Sequence, residues 1–379
     1  MKLIYCIHSV YNPGGMERVL LNKVRYLVEN KGWEILVVTT DQKSRPAFYP
    51  FPKEVRFIDL DINYSDDNCK NIYAKTFGYL RRRRLHKQRL TELLMVEKAN
   101  IVLSLYPSES SFIPDIKDGS KKILELHFCK FFRLQYGRKG LVGLIDKFRT
   151  WHDERIVKRF DKFVVLTEED KDNWGALDNI EVIPNASLAM FDKYSDLSAK
   201  RVIAVGRLDY QKGFDRLVKA WDIVWKTGLF KDWRLDVFGQ GEWQEMLQKM
   251  INERGLSNCF RLNKPTNDIG KEYADSSLIV MTSNYEGFGM VLVEAMSCGV
   301  PAVAFDCQCG PRDIVKHEER GLIVKNGDID ALAEAMMKLM GDDELRKRMG
   351  EEAKKVVETY SEEKVMSEWM KLYEEVVAD

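Results

Sequence analysis

Nowhere among the 379 residues do eighteen apolar residues follow one another, so no segment has the length and hydropathy of a bilayer-spanning helix. The opening MKLIYCIHSVYNPGGMER meets a polar turn too early for a signal peptide and reads as a first strand. Cysteine is sparse: seven residues, at 6, 69, 129, 259, 298, 307 and 309, odd in number and scattered, which suits a reducing cytosol. The Cys307-x-Cys309 pair has no second pair at zinc-ligand spacing and reads as a loop feature. GxGxxG is missing, and no acidic ribose hook clearly follows the first strand, so a dinucleotide site is poorly supported. Internal repeats and low-complexity tracts are absent too. Net charge is zero, but only in sum. Residues 1–187 carry 32 Lys+Arg against 25 Asp+Glu, a net +7, and the remainder carries −7. This asymmetry assigns different partners to the two halves.

What is present is a soluble globular composition, 45% hydrophobic and 31% charged, in a chain long for one core. Apolar strand-like runs alternate with amphipathic helical stretches almost throughout. Strands are expected at 2–8, 34–39, 55–60, 101–105, 122–127 and 163–166. After a polar segment, 188–200, read as a linker, further strands are expected at 202–205, 234–238, 259–262, 278–281, 301–305 and 321–324. Repeated strand-then-helix order implies parallel sheets covered on both faces. Helices are expected at 214–225, 342–359 and 361–377, with Asp268 and Ser361 as N-caps.

Two stretches carry candidate chemistry. LIVMTSNYEGFGMVLVEAMSCGVP (278–301) is a strand, a turn holding Glu286, and a helix with Val291, Leu292, Ala295 and Met296 as its buried stripe and Glu294 on it. A loop at the carboxyl end of such a strand is where open α/β sheets bind ligands. Two carboxylates would repel phosphate, so they suit sugar hydroxyls better. Read singly, they are a solvated loop residue and a helix-surface residue. VGRLDYQKG (205–213) runs from a strand into a helix and offers Arg207 and Lys212, two cations that suit a diphosphate. Alone, they are equally well two surface cations beside a turn. Gly14-Gly15, after the first strand, allows close backbone approach to a ligand, and FGQG (238–241) is another strand-to-helix glycine turn.

Together with GGMER (14–18) and IPNA (183–186), these motifs resemble family 4 of the retaining, nucleotide-sugar-dependent glycosyltransferases. The resemblance covers essentially the whole chain. It implies the GT-B fold: two Rossmann-like, doubly wound parallel-sheet domains facing across a cleft. The expected divisions are an acceptor-binding domain (1–187), a nucleotide-sugar-binding domain (188–358), and a final helix (359–379) crossing back to the first, with Trp369 and Leu372 as docking residues. In the resembled family Arg207 and Lys212 contact the diphosphate, Glu286 holds sugar hydroxyls and Glu294 the ribose. Backbone N–H groups from Gly287 through Phe288, Gly289 and Met290 to Val291 add donors, and Gly15 and Gly239 lie near the donor. His127, ending KKILELH, matches the family histidine near the transferred sugar. Thr167 is a weaker candidate in the cleft.

The implied reaction moves a hexose or N-acetylhexosamine, with retention, from a nucleotide sugar with uridine as the expected base. The expected acceptor is a glycan hydroxyl, lipid-linked, in capsule, O-antigen or a similar envelope polymer. No cofactor or metal is expected; the aspartates of VRFIDLD (55–61) lie too early in the chain for a metal-bound nucleotide sugar. Residues 70–94 hold eight cations against one acid, and a second basic stretch, 130–162, interleaves Phe131, Phe132, Leu134, Leu141, Val142, Leu144 and Trp151. No nucleic-acid-binding motif accompanies them. The expectation is contact of the Arg81–Arg84 region with an anionic membrane surface by a cytoplasmic protein at the inner face of the membrane. A nucleotide-sugar epimerase of the same architecture and a non-catalytic nucleotide-sugar-binding protein remain as alternatives.

Overall fold

The computed structural model describes the chain except residues 13, 68–71, 106–107, 135–137, 188–192, 267 and 379 and the side chains of 67 and 72–76. Cys69, the cation at 70, the side chain at 75 and part of the linker therefore lie outside the described residues.

The first half runs β1 (Lys2–Ile7), α1 (Gly15–Lys31), β2 (Glu34–Thr39), β3 (Arg56–Asp59), α2 (Ile72–Glu97), β4 (Ile101–Ser104) and β5 (Lys121–Glu125). It continues through α3 (Gly140–Val157), β6 (Lys162–Val165), α4 (Glu168–Trp174) and β7 (Ile180–Val182). The strands form one parallel sheet in the order β3-β2-β1-β4-β5-β6-β7. β1 is apolar from Leu3 to Ile7 because both faces are covered there: Leu3, Tyr5 and Ile7 face one cluster, Ile4 and Cys6 the other.

The second half runs β8 (Arg201–Val205), α5 (Phe214–Lys226), β9 (Arg234–Phe238), α6 (Gln244–Glu253), β10 (Phe260–Asn263), α7 (Ile269–Ala274) and β11 (Leu278–Met281). Then follow α8 (Met290–Ser297), β12 (Ala302–Asp306), α9 (Pro311–Val315), β13 (Gly321–Lys325), α10 (Ile329–Gly341), α11 (Asp343–Lys354), α12 (Val356–Tyr360) and α13 (Glu362–Ala378). Its parallel sheet has the order β10-β9-β8-β11-β12-β13. In both sheets strand order reverses beside the first strand, between β1 and β4 and between β8 and β11. These reversals open the crevices where doubly wound sheets take ligands.

The α/β, doubly wound reading of the sequence describes the molecule, with local differences. β7 was not expected, since three residues before Ile183-Pro184 are too short for a periodicity signal; pairing with β6 stabilises it. The helix expected at 342–359 turns at Lys355 into α11 and α12. The turn sends Val356 into the core and sets Tyr360 edge-on to Phe288, with ring centroids 5.3 Å apart. α8 has no single stripe: 292–297 are all buried and Val291 is half-buried, because neighbours cover the helix on every side. α13 packs on the first sheet, not the second. Trp369, Leu372, Tyr373 and Val376 join the cluster around Leu3 and Tyr5, and the Tyr5 and Tyr373 hydroxyls lie 2.9 Å apart.

Candidate functional site

The β8/β11 crevice is lined by the loops after those two strands, 206–213 and 282–289. Lys212 Nζ lies 2.6 Å from Glu286 Oε1, and the Ser283 hydroxyl donates to the same oxygen. Both side chains of the ion pair are largely buried. The pair is held by backbone as well. Asn284 N–H donates to the Gln211 carbonyl (2.7 Å), and the Thr282 hydroxyl donates to the Lys212 carbonyl (3.0 Å), so one loop is bonded along the other. Arg207 is different: its side chain is 70% exposed, steadied by Gln211 Oε1 at 2.7 Å and Asp209 at 3.4 Å. Gln211 in turn donates to the Tyr285 carbonyl at 3.4 Å, linking Arg207 to the Glu286 loop. A methylene stem explains the glycine before Arg207, since the Lys212 side chain packs on Gly206, and a Cβ at Gly239 would fall 1.8 Å from the Gly206 carbonyl.

The helix after the loop, α8, is preceded at its N-cap by Gly289, whose φ of +100° is open to glycine and strained for other residues. Phe288 is buried against Tyr360, which leaves only its backbone for a ligand. Leu292 N–H is spent on the Gly289 carbonyl at 2.9 Å, within the first turn where helices carry unpaired donors. Met290 and Val291 are half-buried beside it.

The backbone of His127, from the other half of the molecule, meets the second of these loops, 282–289. A Cβ at Gly287 would lie 2.1 Å from the His127 carbonyl oxygen, so the 286–289 loop presses directly on the end of β5. The imidazole Nε2 lies 3.2 Å from Glu125 Oε1. Glu294 has different partners from Glu286. Its Oε2 accepts from the Tyr273 hydroxyl at 3.1 Å, and its Oε1 lies 3.6 Å from Arg18 Nη1 of α1. Burial pushes the Glu294 carboxyl above its ordinary value, partly offset by Arg18 and Tyr273. Gly15, the first residue of α1, is exposed, and a Cβ there would meet nothing within 4 Å. The two halves also meet where Cys309 N–H donates to Glu169 of α4 at 3.0 Å.

Reading the sequence named both members of the Lys212–Glu286 pair but assigned them to different ligand groups; that they bond to each other was not foreseen. Arg18, Tyr273 and Ser283 were missed as well. Arg18 lies inside the quoted GGMER motif, while Tyr273 and Ser283 carry no sequence signal of their own. Thr167 is corrected: its hydroxyl caps α4 by accepting from Asp170 N–H at 3.1 Å. Asp59 accepts from the Thr39 hydroxyl and the Lys43 N–H, at 3.1 and 3.2 Å. The four-arginine run is also narrower than expected. Arg82 donates to the Ile62 carbonyl and Arg83 to the Ser111 hydroxyl, so Arg81 and Arg84 are its exposed members.

Residues 189–356 match the family model for glycosyl transferases group 1. The chain is 35% identical over 386 residues to the amylovoran biosynthesis glycosyltransferase AmsD of Erwinia amylovora, covering 97% of this chain and 98% of that one. Among solved structures, TarM superposes with a TM-score of 0.81 at 16% identity, with 98% of each chain covered. HepE of Anabaena, solved with UDP and glucose, gives a TM-score of 0.75 at 16% identity over 99% of this chain and 100% of that one. The architecture is that of GT-B glycosyltransferases.

Proposed function

Since this chain belongs to the group 1 glycosyltransferases, with the GT-B fold, we propose that it transfers a hexose or N-acetylhexosamine from a UDP-sugar to a glycan hydroxyl, with retention, as a family 4 enzyme. The observation that carries this is the buried Lys212–Glu286 pair at the β8/β11 crevice, with the exposed Arg207 guanidinium bonded to the same loops. Arg207, the exposed cation of the two, meets the diphosphate. Lys212 has three ammonium hydrogens and spends one on Glu286, so it serves the phosphate and fixes the carboxylate together. Glu286 takes Lys212 and Ser283 on Oε1, which leaves Oε2 to accept sugar hydroxyls. The two cations stabilise the departing nucleotide diphosphate as the glycosidic bond breaks, the role a metal takes elsewhere, and the reaction is read as metal-independent. Backbone N–H groups of 287–291 and the approach at Gly15 and Gly239 complete the donor site, Glu294 holds the ribose, and His127 sits beside the transferred sugar. HepE bound UDP and glucose, which supports the choice of donor.

Relatives such as the amylovoran biosynthesis glycosyltransferase support a glycan acceptor, and the surface of the first half supports the reading of that acceptor as a lipid-linked envelope glycan. α3 exposes Leu141, Leu144, Ile145, Phe148 and Trp151 at helical spacing, amid Lys147, Arg149 and Arg155. Such a face suits an anionic lipid surface; among the described residues no helix is long and apolar enough to cross a membrane. The epimerase and non-catalytic binding readings gain no support from relatives such as the amylovoran biosynthesis glycosyltransferase. Incubation with labelled UDP-sugars and a lipid-linked glycan tests the proposal. Sugar appearing on the acceptor with its anomeric configuration kept is the expected result. Epimerised free donor, or binding with neither transfer nor hydrolysis, refutes it.

A further inference from the structure

Three side chains form a buried row behind the cleft: Lys23 of α1, Glu125 at the end of β5, and His127. Lys23 Nζ lies 2.6 and 2.7 Å from the two oxygens of Glu125, and His127 Nε2 lies 3.2 Å from Glu125 Oε1. Their side chains are 5%, 1% and 6% exposed. The ring of Trp369, from α13, covers the ammonium with its centroid 3.4 Å away. Burying an ion pair this deeply contributes little net stability, and apolar residues of similar volume often serve a core as well or better. A role beyond packing is therefore worth seeking. Burial alone would raise the Glu125 carboxyl, but Lys23 and His127 outweigh it and hold it at about 2. An ionised carboxylate only accepts hydrogen bonds, so the imidazole nitrogen facing it carries the proton, and a neutral ring keeps its lone pair on Nδ1.

We propose that Lys23 and Glu125 are positioning residues that hold His127 in the Nε2–H tautomer at the cleft, with Trp369 of the C-terminal helix closing the row over Lys23. This rests on the reading that His127 faces the transferred sugar. The device resembles in logic the carboxylates that orient catalytic and metal-bound histidines, where the wrong tautomer costs ~10²–10⁴ in rate. It also gives α13 a part in the site: the helix that docks on the first sheet covers the cation that fixes the carboxylate.

The test uses the full chain labelled with ¹⁵N-histidine at a pH where the ring is neutral, with the His127 signals assigned by their loss in His127→Asn. The native protein is expected to show Nε2–H at His127. Glu125→Gln, whose amide can donate as well as accept, should populate the other tautomer and lower kcat by ~10² or more, with the donor KM within about threefold. Lys23→Arg should keep both tautomer and rate, and Lys23→Met should lose both. If Glu125→Gln does not fold, Trp369→Phe, which keeps a ring over Lys23, and Trp369→Leu, which does not, make the same comparison. Nδ1–H in the native protein, or an unchanged tautomer and kcat in folded Glu125→Gln, overturns the proposal. Full activity of His127→Asn, with the tautomer shift still seen in Glu125→Gln, overturns instead the catalytic reading of His127, and leaves the positioning geometry supported.

Discussion

A methyl group added at Gly287 measures how closely the two halves of the molecule must meet for transfer to occur. The Cβ of Gly287→Ala would sit 2.1 Å from the His127 carbonyl oxygen, 3.0 Å from its carbon and 3.4 Å from Phe128 Cα. Ordinary carbon–oxygen contact needs about 3.3 Å, so the loop must retreat by roughly 1.2 Å. Gly287 does not have a left-handed backbone, so alanine brings no conformational strain of its own; the whole effect is one of space. The obstacle is backbone at the end of β5 and cannot rotate away, so the 286–289 loop moves and carries Glu286 with it, or the halves open. A displacement near 1 Å costs ~10² in rate, about 2.7 kcal/mol of barrier. Overpacking a fixed core would cost about 1–3 kcal/mol of stability, but opening the cleft relieves most of it. The expected result is therefore a ~10²-fold fall in initial rate of transfer from labelled donor, with a melting temperature lowered by only a few degrees. Gly341→Ala is the control, since its Cβ would meet only the Phe230 ring at 3.7 Å, and both readouts should stay native. A Gly287→Ala enzyme within threefold of the native rate and with an unchanged melting temperature would refute the close contact on which the site is built.

Lys212→Met should lower kcat by ~10²–10³, and it should also destabilise the protein, because Glu286 loses its buried partner; Arg207→Ala, at an exposed position, should cut the rate comparably with no change in melting temperature. Steady-state kinetics and thermal unfolding on the same preparations separate the two effects. Glu109 is buried, and burial raises its carboxyl to about 7 against the opposing bond from the Ser104 hydroxyl at 2.7 Å. Its folded value lies above the ~4.3 of an unfolded chain, so the native state carries no penalty below about pH 4.3 and loses up to about 3–4 kcal/mol as pH rises through 7. Glu109→Gln should therefore gain on the native protein between pH 5 and pH 8 in urea unfolding, and a pH-independent difference would count against it. Leu144→Ser with Phe148→Ser should abolish sedimentation with anionic liposomes, and Arg81→Ser with Arg84→Ser should weaken it at low salt; binding untouched by both pairs would remove the membrane reading.

Local patterns made most of the architecture legible. Continuous apolar runs such as 3–7 mark strands covered on both sides, and their alternation with amphipathic stretches leaves little choice but parallel sheets with helices on each face. β7 escaped because its three residues hold no period to read, and pairing with β6 decides it. Motif spacing brought out Lys212 and Glu286, yet nothing in one dimension says that residues 74 apart share a hydrogen bond. The Arg81–Arg84 run looked like one patch because sequence counts charges without seeing partners; Ile62 and Ser111, which occupy two of the four, belong to other turns of the chain. Tyr273 and Ser283 were invisible for the same reason: each is an ordinary residue until the fold aims its hydroxyl at a carboxylate.

The chain passes between its halves twice, once after Ser187 and again at Tyr360-Ser361, and these crossings lie side by side, with Ser187 N–H donating to the Tyr360 carbonyl at 2.8 Å. Any rotation of one half against the other moves that point least. The contacts that rotation would break join parts of each half well away from both crossings in sequence: Arg18 with Glu294, the 309–310 turn with Glu169, and Gly287 with His127. Tyr360 links the crossing to the site loop within the second half. Its carbonyl holds Ser187, while its ring packs edge-on against Phe288, inside the loop that carries Glu286 and Gly287. The crossing point and the site loop thus share a rigid aromatic contact, and α13, which begins two residues later, anchors the same crossing to the first sheet through Trp369 and Tyr373. The crossing point is therefore packed against the loop that holds the carboxylate. Both partners of the buried Lys212–Glu286 pair lie in the second half, so that pair can survive the opening, while His127 leaves with the first.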